Sequence, residues 1–484
     1  GISGAGIMKT LAIAVFCSLS PYLPHAQPDT VSAPGPAVIE TVGINLGIWA
    51  VDRYIIANDD VYNISINTMK RNLLHGPVWD NDQFSTNLLG HPYHGGLYFS
   101  AARSNGLSFR QSVPYSFAGS MMWEYLMEVE PPSINDFIST SVGGMVLGEI
   151  TFRLSDLLID SRTTGLNRFG REFLATIISP VRGLNRIISG RAWRIQPERG
   201  AFSDNVPVSF AVATGYRGLA EDSEIMNELD NGMYVDFRLN YGSLFSTDNE
   251  KPYDAFTLRA SLNFLSRQPF IGNVNIVGQL WGKNIPLKSE KSTLHWGVFQ
   301  HFDYYDSKTI VAEHRVNSYR ISQAAAIGAG IQSVIRTGKN KLFVSSFYLS
   351  GILLGGSITD YYRVTDRDYN LGSGFSSKLN AGLLGRKMGF GIKIEDYRLF
   401  TWKGYDPTID LSQLTAEQRR YLNAQGDKGN VEFTIFSTNF YVRMKKHYMI
   451  SLETSYYFRN SYYRDFPNIK YQIIESKAGI GVLF

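Results

Sequence analysis

The hydrophobic pattern changes period partway along the chain. Up to about residue 189 the apolar positions recur at helical spacing; from about Val206 they recur at every second residue. Ala37–Ile56 carries Ile39, Val42, Leu46, Trp49 and Ile56 on a helical repeat. Further helices are predicted at 60–74, 94–104, 109–128 and 133–158. The last opens with Ser133-Ile-Asn-Asp136 after Pro131-Pro132. There a hydroxyl caps an early amide and a carboxylate sits at the positive helix end. In the second part Val235, Phe237, Leu239 and Tyr241 alternate with Asp236, Arg238 and Asn240. Phe256, Leu258, Ala260, Leu262 and Phe264 alternate in the same way with Thr257, Arg259, Ser261 and Asn263.

Such segments predict twelve strands, near 206–217, 231–245, 253–266, 273–284, 292–305, 318–336, 340–357, 371–385, 387–401, 430–445, 447–459 and 470–484. The weak pattern at 318–336 leaves ten or fourteen open. The expected fold class is α+β: an N-terminal helical domain, then an antiparallel transmembrane β-barrel of about twelve strands. A soluble β-sandwich is the structural alternative.

The last strand favours the barrel. Ile474, Ser476, Ala478, Ile480, Val482 and Phe484 share one parity, and Glu475 and Lys477 lie on the other. It resembles the closing strand of bacterial outer-membrane barrels, and that resemblance implies recognition of the end at Phe484 by the barrel assembly machinery. Aromatics make up 13% of the chain, enough for girdles at two membrane interfaces. Mean hydropathy is −0.13, as expected when strand positions alternate between lipid and water. The net charge of +4 gives no case for nucleic acid.

Met8-Lys9 followed by a short apolar run reads as a secretory signal, preceded by Gly1–Ile7. The expected organisation is a leader and signal at 1–26, a linker at 27–36, a helical domain with a basic connector at 37–200, and the barrel at 201–484. Cys17 is the only cysteine and lies in the signal, so the mature chain has no disulfide or thiolate chemistry. The connector 162–200 holds Arg162, Arg168, Arg171, Arg182, Arg186, Arg191, Arg194 and Arg199 against Glu172 and Glu198. Its simplest reading is a solvated face; contact with anionic lipid headgroups is the second.

Three polar motifs interrupt the apolar helical part. They are Asn87-Leu-Leu-Gly-His-Pro-Tyr-His-Gly95, Gly119-Ser-Met-Met-Trp-Glu-Tyr125, and Pro131-Pro-Ser-Ile-Asn-Asp136 with Gly144-Met-Val-Leu-Gly-Glu149. On these motifs the stretch 80–160 resembles domain-of-unknown-function family 3943, an uncharacterised outer-membrane protein family. The resemblance implies no known activity. The order His, Glu, Asp before a Gly-rich helix also looks distantly like the VanZ-like family, although the Asp-Lys before the His and the long spanning helices are missing.

The residues themselves leave two readings open. His91 and His94 are three apart and can hold a metal or shuttle a proton, or form a hydrogen-bonded structural pair. Glu124 shares a helix face with Glu128, and a carboxyl in an apolar bundle can act as acid or base or be plainly structural. Asp136 is a third candidate, with helix capping as its simpler role. Glu128, Asn135, Glu149 and Arg153 are expected to form a structural polar cluster, with Glu149 and Arg153 as an i,i+4 ion pair. Gly143, Gly144 and Gly148 are expected to let helices approach closely. His295, His301, Arg238, Arg259, Lys393, Glu395, Glu453, Glu475 and Lys477 fall on the predicted lumen face.

No cofactor or metal is expected, and no Walker loop, HExxH or GxSxG occurs. The sequence predicts an outer-membrane protein of a Gram-negative bacterium, with its helical domain in the periplasm or the barrel lumen. Its expected role is in the envelope or in transport of an unknown small molecule. The alternative is an envelope hydrolase or transferase acting through His91, His94, Glu124 and Asp136.

Overall fold

The structure, a computed structural model, describes residues 32–56, 59–79, 82–197, 206–221, 230–244, 251–289, 291–307, 319–361, 368–415, 418, 422–444 and 447–484. The expected leader at 1–26 lies outside the described residues. The chain forms two compact units. One comprises 1–80, 89–205 and 412–423; the other comprises 81–88, 206–411 and 424–484.

The first unit is helical: α1 (Pro34–Val51), α2 (Asp59–Tyr62), α3 (Ile66–His75), α4 (His91–Ser104), α5 (Phe109–Met122), α6 (Ile134–Ile138), α7 (Gly144–Leu158), α8 (Gly165–Ile178) and α9 (Pro180–Ile188). Helix α1 begins inside the expected linker, because Pro34 suits a first turn, where no amide needs a partner. Reciprocal side-chain caps start α3 at Ser65/Thr68 and α5 at Ser108/Gln111. Ser133 Oγ accepts the Asp136 N–H at 3.1 Å and starts α6 as its sequence predicts. Four π turns extend these helices, at Asp52–Ile56, Thr86–Gly90, Trp123–Met127 and Ser139–Gly143.

Helix α4 packs along α7 with almost no space between backbones. A Cβ on Gly144 would lie 2.5 Å from the Gly95 carbonyl carbon, and one on Gly148 would lie 2.8 Å from the Gly96 oxygen. The expected close approach thus falls to Gly144 and Gly148, against two glycines of α4.

The arginine-rich stretch 162–197 departs from the solvated reading. It folds into α8 and α9, with Arg168, Arg182 and Arg186 buried. Glu172 faces both Arg168 (3.0 Å) and Arg186 (2.9 Å), and Arg182 pairs with Asp156 of α7. Buried guanidinium groups require such partners, and here neighbouring helices supply them.

The second unit is a closed antiparallel barrel: β1 (Val208–Glu221), β2 (Asp230–Tyr241), β3 (Phe256–Phe264), β4 (Ile271–Ile285), β5 (Ser292–Asp306), β6 (Arg320–Gly338), β7 (Lys341–Ile358), β8 (Tyr369–Gly385), β9 (Met388–Thr401), β10 (Gly429–Arg443), β11 (Tyr448–Tyr463) and β12 (Ile469–Leu483). Each strand pairs with its sequence neighbours, and β1 closes on β12 in the register Val212↔Val482 to Arg217↔Lys477. Closure leaves no unpaired edge, which a strand bundle in lipid requires.

The period-2 pattern becomes two faces. Phe347, Leu349 and Leu353 of β7 point outward, while Tyr348, Ser350 and Ile352 point inward. On β12 Glu475 and Lys477 are buried inside and Ile480 is exposed outside. Both barrel termini lie at one end with the tight connections 339–340 and 386–387 and one longer connection, 242–255; the connections 307–319, 359–368 and 402–428 lie at the other. In outer-membrane barrels the short turns are periplasmic and the long loops external.

Candidate functional site

In the helical unit, hydrogen bonds run from Glu124 through Ser133 and Asn135 to Asp136, and His91 stands at ion-pair distance from their end. Glu124, in the π turn 123–127, accepts the Ser133 N–H at 2.7 Å. Ser133 Oγ donates to Asn135 Oδ1 at 2.9 Å, and Asn135 Nδ2 donates to Asp136 Oδ1 at 2.9 Å. His91, at the first position of α4, places Nε2 3.6 Å from Asp136 Oδ1. Glu124, Asn135 and Asp136 are all buried. Buried polar groups carry less cost when they satisfy one another.

His94 does not join His91 on a shared ligand. Its Nε2 lies 2.7 Å from Tyr98 Oη, which donates to Asn45 Oδ1 at 2.7 Å. Its ring meets Trp123 edge-on at 4.7 Å. Burial, helped by the neighbouring charge of His91, pushes its pKa down to about 3, so the imidazole is neutral. Glu128 Oε1 accepts from the Trp123 indole at 2.5 Å. Among the described residues no group of three His, Cys, Asp or Glu is arranged to hold a metal.

A second network joins α4 to α7. Glu149, fully buried, accepts Arg103 Nε at 2.7 Å and Nη2 at 3.2 Å, and Arg153 Nε at 2.7 Å. Burial opposes its charge, but the two guanidinium groups hold the carboxyl below the usual range. Spacing alone identifies Arg153. Arg103 lies on another helix and leaves no signal in the sequence.

The barrel lumen divides into two halves. Towards the long loops it is filled. Leu219, Ile321, Leu399, Val431, Phe433 and Ile473 form an apolar cluster with Tyr305, Tyr319, Tyr397 and Tyr457. Tyrosines reach across it from wall to wall. Tyr305 of β5 donates to Glu395 of β9 at 2.6 Å, and Tyr397 of β9 donates to Asp303 of β5 at 2.9 Å. Tyr319, just before β6, donates to Glu475 of β12 at 2.6 Å and stacks on Tyr457 of β11 at 3.9 Å. Residues 82–88 also belong to this unit, with Phe84 packed against Tyr304 at 5.4 Å and Tyr369 at 5.3 Å.

Towards the short turns the lumen opens into a cavity of about 680 Å³ lined by Arg238, Arg259, Lys378, Lys393, Glu395, Asn240, Gln332, Tyr348 and Asn439, among others. Its ions are layered. The Arg238 side chain is 39% exposed and those of Arg259 and Lys393 are 20% exposed, whereas Asp236 is 2% exposed. Arg259 contacts Glu453 at 2.5 Å and Asp236 at 3.1 Å; Arg238 contacts Glu453 at 2.7 Å. Lys393 contacts Glu395 at 2.9 Å, and Lys378 pairs with Asp303. Arg238, Arg259 and Lys393 are therefore more exposed to the cavity than their partners Asp236, Glu453 and Glu395, while Lys378 is buried with Asp303. Of the predicted lumen face named above, Arg238, Arg259, Lys393 and Glu395 line this cavity, while His295, His301, Glu475 and Lys477 are buried elsewhere inside the barrel. Asp303, Lys378 and the crossing tyrosines were missed, although their parity within β5, β8 and β9 carried the signal for several.

Among solved structures, the NanC porin shares 12% identity with a TM-score of 0.27, covering 56% of this chain and 98% of its own. The outer membrane channel DcaP of Acinetobacter baumannii shares 11% (TM-score 0.23; 58% and 97% covered). An outer membrane channel from Pseudomonas putida F1 shares 8% (TM-score 0.26; 60% and 100% covered). Identities and scores this low carry no information on substrate. No curated protein matches the chain. Residues 76–181 match the family described as Domain of unknown function (DUF3943), a stretch that includes His91, His94, Glu124, Asp136, Glu149 and Arg153. The chain is thus a twelve-stranded barrel protein in which residues 76–181 are similar to the DUF3943 family.

Proposed function

We propose that this protein is an outer-membrane barrel with an envelope or transport role, closed in its long-loop half and open to small anionic solutes from its short-turn end. The observation that carries the reading is the layering of the cavity, with Arg238, Arg259 and Lys393 towards the space and their carboxylates beneath. A low-dielectric wall focuses such a field and concentrates ions of opposite sign. Planar-bilayer recording in a potassium chloride gradient tests it. The native protein should give no steady conductance. A Tyr319→Ser/Tyr457→Ser variant should conduct with preference for chloride, and adding Lys393→Glu and Arg238→Glu should reverse that preference. A large unselective conductance in the native protein, or potassium preference in the opened variant, would overturn the proposal.

For the helical unit, the hydrogen bonds from Glu124 to Asp136 and the ion-pair distance from Asp136 to His91 support a clasp between helices: Asp136, in the first turn of α6, also faces the first residue of α4. His94 and Glu128, partly buried, and Asn135, Glu149 and Arg153, buried, then serve as connectors. Alanine at His91, Glu124 or Asp136 should lower the stability of this unit. Unchanged stability with loss of a chemical activity would favour the hydrolase or transferase reading instead. The pattern from Ile474 to Phe484 supports delivery by the barrel assembly machinery, with the helical domain on the periplasmic side or in the lumen. Digestion of the helical domain by protease added outside intact cells would refute that placement.

A further inference from the structure

The last two helices are amphipathic in the reverse sense for a water-soluble domain. On α8, Arg168, Glu172 and Ala175 face inward and are buried, while Leu166, Phe169, Phe173, Leu174 and Ile177 face outward. Leu166 is 89% exposed and Phe169 67%. On α9, Arg182 and Arg186 are buried and Ile187 is exposed; Trp193 and Ile195 follow, also exposed. The ions are satisfied within the unit, through Glu172 and Asp156. The apolar side chains are left on the surface. A contiguous exposed apolar face of this kind marks a partner or a membrane.

Charge narrows the choice. Around this face Arg162 and Arg194 are exposed, and Arg171 and Arg191 are partly so. Asp160 and Glu172, the described acids between residues 159 and 197, are both buried. Among the described residues the outward surface therefore offers apolar, cationic and a few neutral polar groups such as Asn167, with a tryptophan among them and no exposed acid. That is the composition of a helix lying at the boundary between acyl chains and anionic headgroups. A tryptophan sits at the headgroup level in such faces. Helix α8 has 14 residues, about 21 Å of helix, and no described helix is long and apolar enough to cross a membrane. An in-plane arrangement fits both facts.

We propose that the face formed by Leu166, Phe169, Phe173, Ile177, Trp193 and Ile195 lies in the interfacial layer of a bilayer containing anionic lipid, with Arg162 and Arg194 on the headgroups. The barrel would then be one of two membrane contacts in the chain. None of the residues of this face lines the barrel cavity.

The test uses the full-length protein in a Cys17→Ser background, with single cysteines at Phe169 or Ile177 and a reference cysteine at Lys70, which is exposed. The protein is reconstituted into vesicles of phosphatidylethanolamine and phosphatidylglycerol. Labelling by a water-soluble maleimide should be roughly tenfold slower at 169 and 177 than at 70, as expected for side chains in the interfacial layer. A fluorophore at 169 should be quenched by lipids carrying a spin label near the headgroup. Replacing phosphatidylglycerol by phosphatidylcholine, or introducing Arg162→Glu with Arg194→Glu, should weaken both effects. Equal labelling rates at 169, 177 and 70 would overturn the proposal. So would protection that persists in detergent and disappears on dilution, which would identify a second copy as the occupant. Persistence of full protection after the charge reversals would overturn the headgroup assignment. Heat-modifiable migration of the barrel is followed in every sample, so that failure of this contact is distinguishable from failure of the barrel to insert.

Discussion

Replacing Glu149 by Gln should destabilise the helical unit far more than a surface change would. The carboxylate is fully buried and receives three charge-assisted hydrogen bonds: two from Arg103, at 2.7 and 3.2 Å, and one from Arg153, at 2.7 Å. Arg103 also donates to the Leu107 carbonyl at 2.6 Å and lies 4.8 Å over Phe152, so it cannot swing to water without giving up those contacts. Glutamine keeps the shape and one acceptor but leaves two buried cations without a counter-charge. Breaking a buried pair in this way costs about 3–5 kcal/mol. For a unit of this size that corresponds to a fall in melting temperature of roughly 10 °C. The assay is thermal circular dichroism at the helical minimum in detergent, with barrel folding followed separately by heat-modifiable migration.

The sign with pH is also fixed. Because the folded carboxyl is held below its ordinary 4.5, the ion triad contributes its stability at neutral pH and loses it as pH falls below that value. Glu149→Gln should lack this acid-dependent loss. A triple apolar variant, Arg103→Met/Glu149→Leu/Arg153→Met, removes charge and desolvation cost together and should recover most of the stability. A loss below about 1 kcal/mol for Glu149→Gln, within the range of surface substitutions, would refute the reasoning.

Three further outcomes are expected. Burial pushes Glu40 up to about 7, against weaker hydrogen bonds from Asn105 and Asn185, so the fold penalises its charge as pH rises from 4.5 towards 7; Glu40→Gln should slow hydrogen exchange in α1 at pH 8 and leave it unchanged at pH 4. Gly144→Ala should cost about 1–3 kcal/mol by forcing α4 and α7 apart, whereas Gly170→Ala, which meets nothing within 4 Å, should stabilise α8 by about 0.5–1 kcal/mol; equal melting temperatures for the two would contradict the close packing. Phe484→Asp removes an exposed aromatic that stacks on Phe210 at 5.9 Å, and should reduce the yield of heat-modifiable barrel in cells more than refolding yield in detergent.

The barrel was legible because lipid and water impose opposite demands on adjacent residues. Period 2 then labels every strand, and observed ends lie within a few residues of those predicted. Which lumen residues meet was not legible. Tyr305 and Glu395 are separated by 90 residues and by several strands around the wall, and parity specifies a face without specifying a partner. The residues placed on the predicted lumen face were polar, yet the long-loop half of the lumen is packed with Leu399, Val431 and Phe433. In the helices, spacing identified the Glu149–Arg153 pair and the Ser133 cap. It could not tell a core-facing apolar stripe from an outward one, so the buried arginines of α8 and α9 were taken for a solvated face. Period reports amphipathicity, while the surrounding medium decides which side points in.

The π turn at Ser139–Gly143 has an evolutionary consequence. A π turn is an α-helix carrying one additional residue. The bulge absorbs that residue locally, so α6 and α7 keep the phase of one uninterrupted helix. Deleting one codon there would restore ordinary winding and leave Asp136 towards His91 and Gly144 and Gly148 on Gly95 and Gly96. The same loss inside α4 or α7 would turn every residue on one side of it by about 100° and undo those contacts. The π turns are therefore the places in this unit where chain length can change by one residue without the interface being rebuilt.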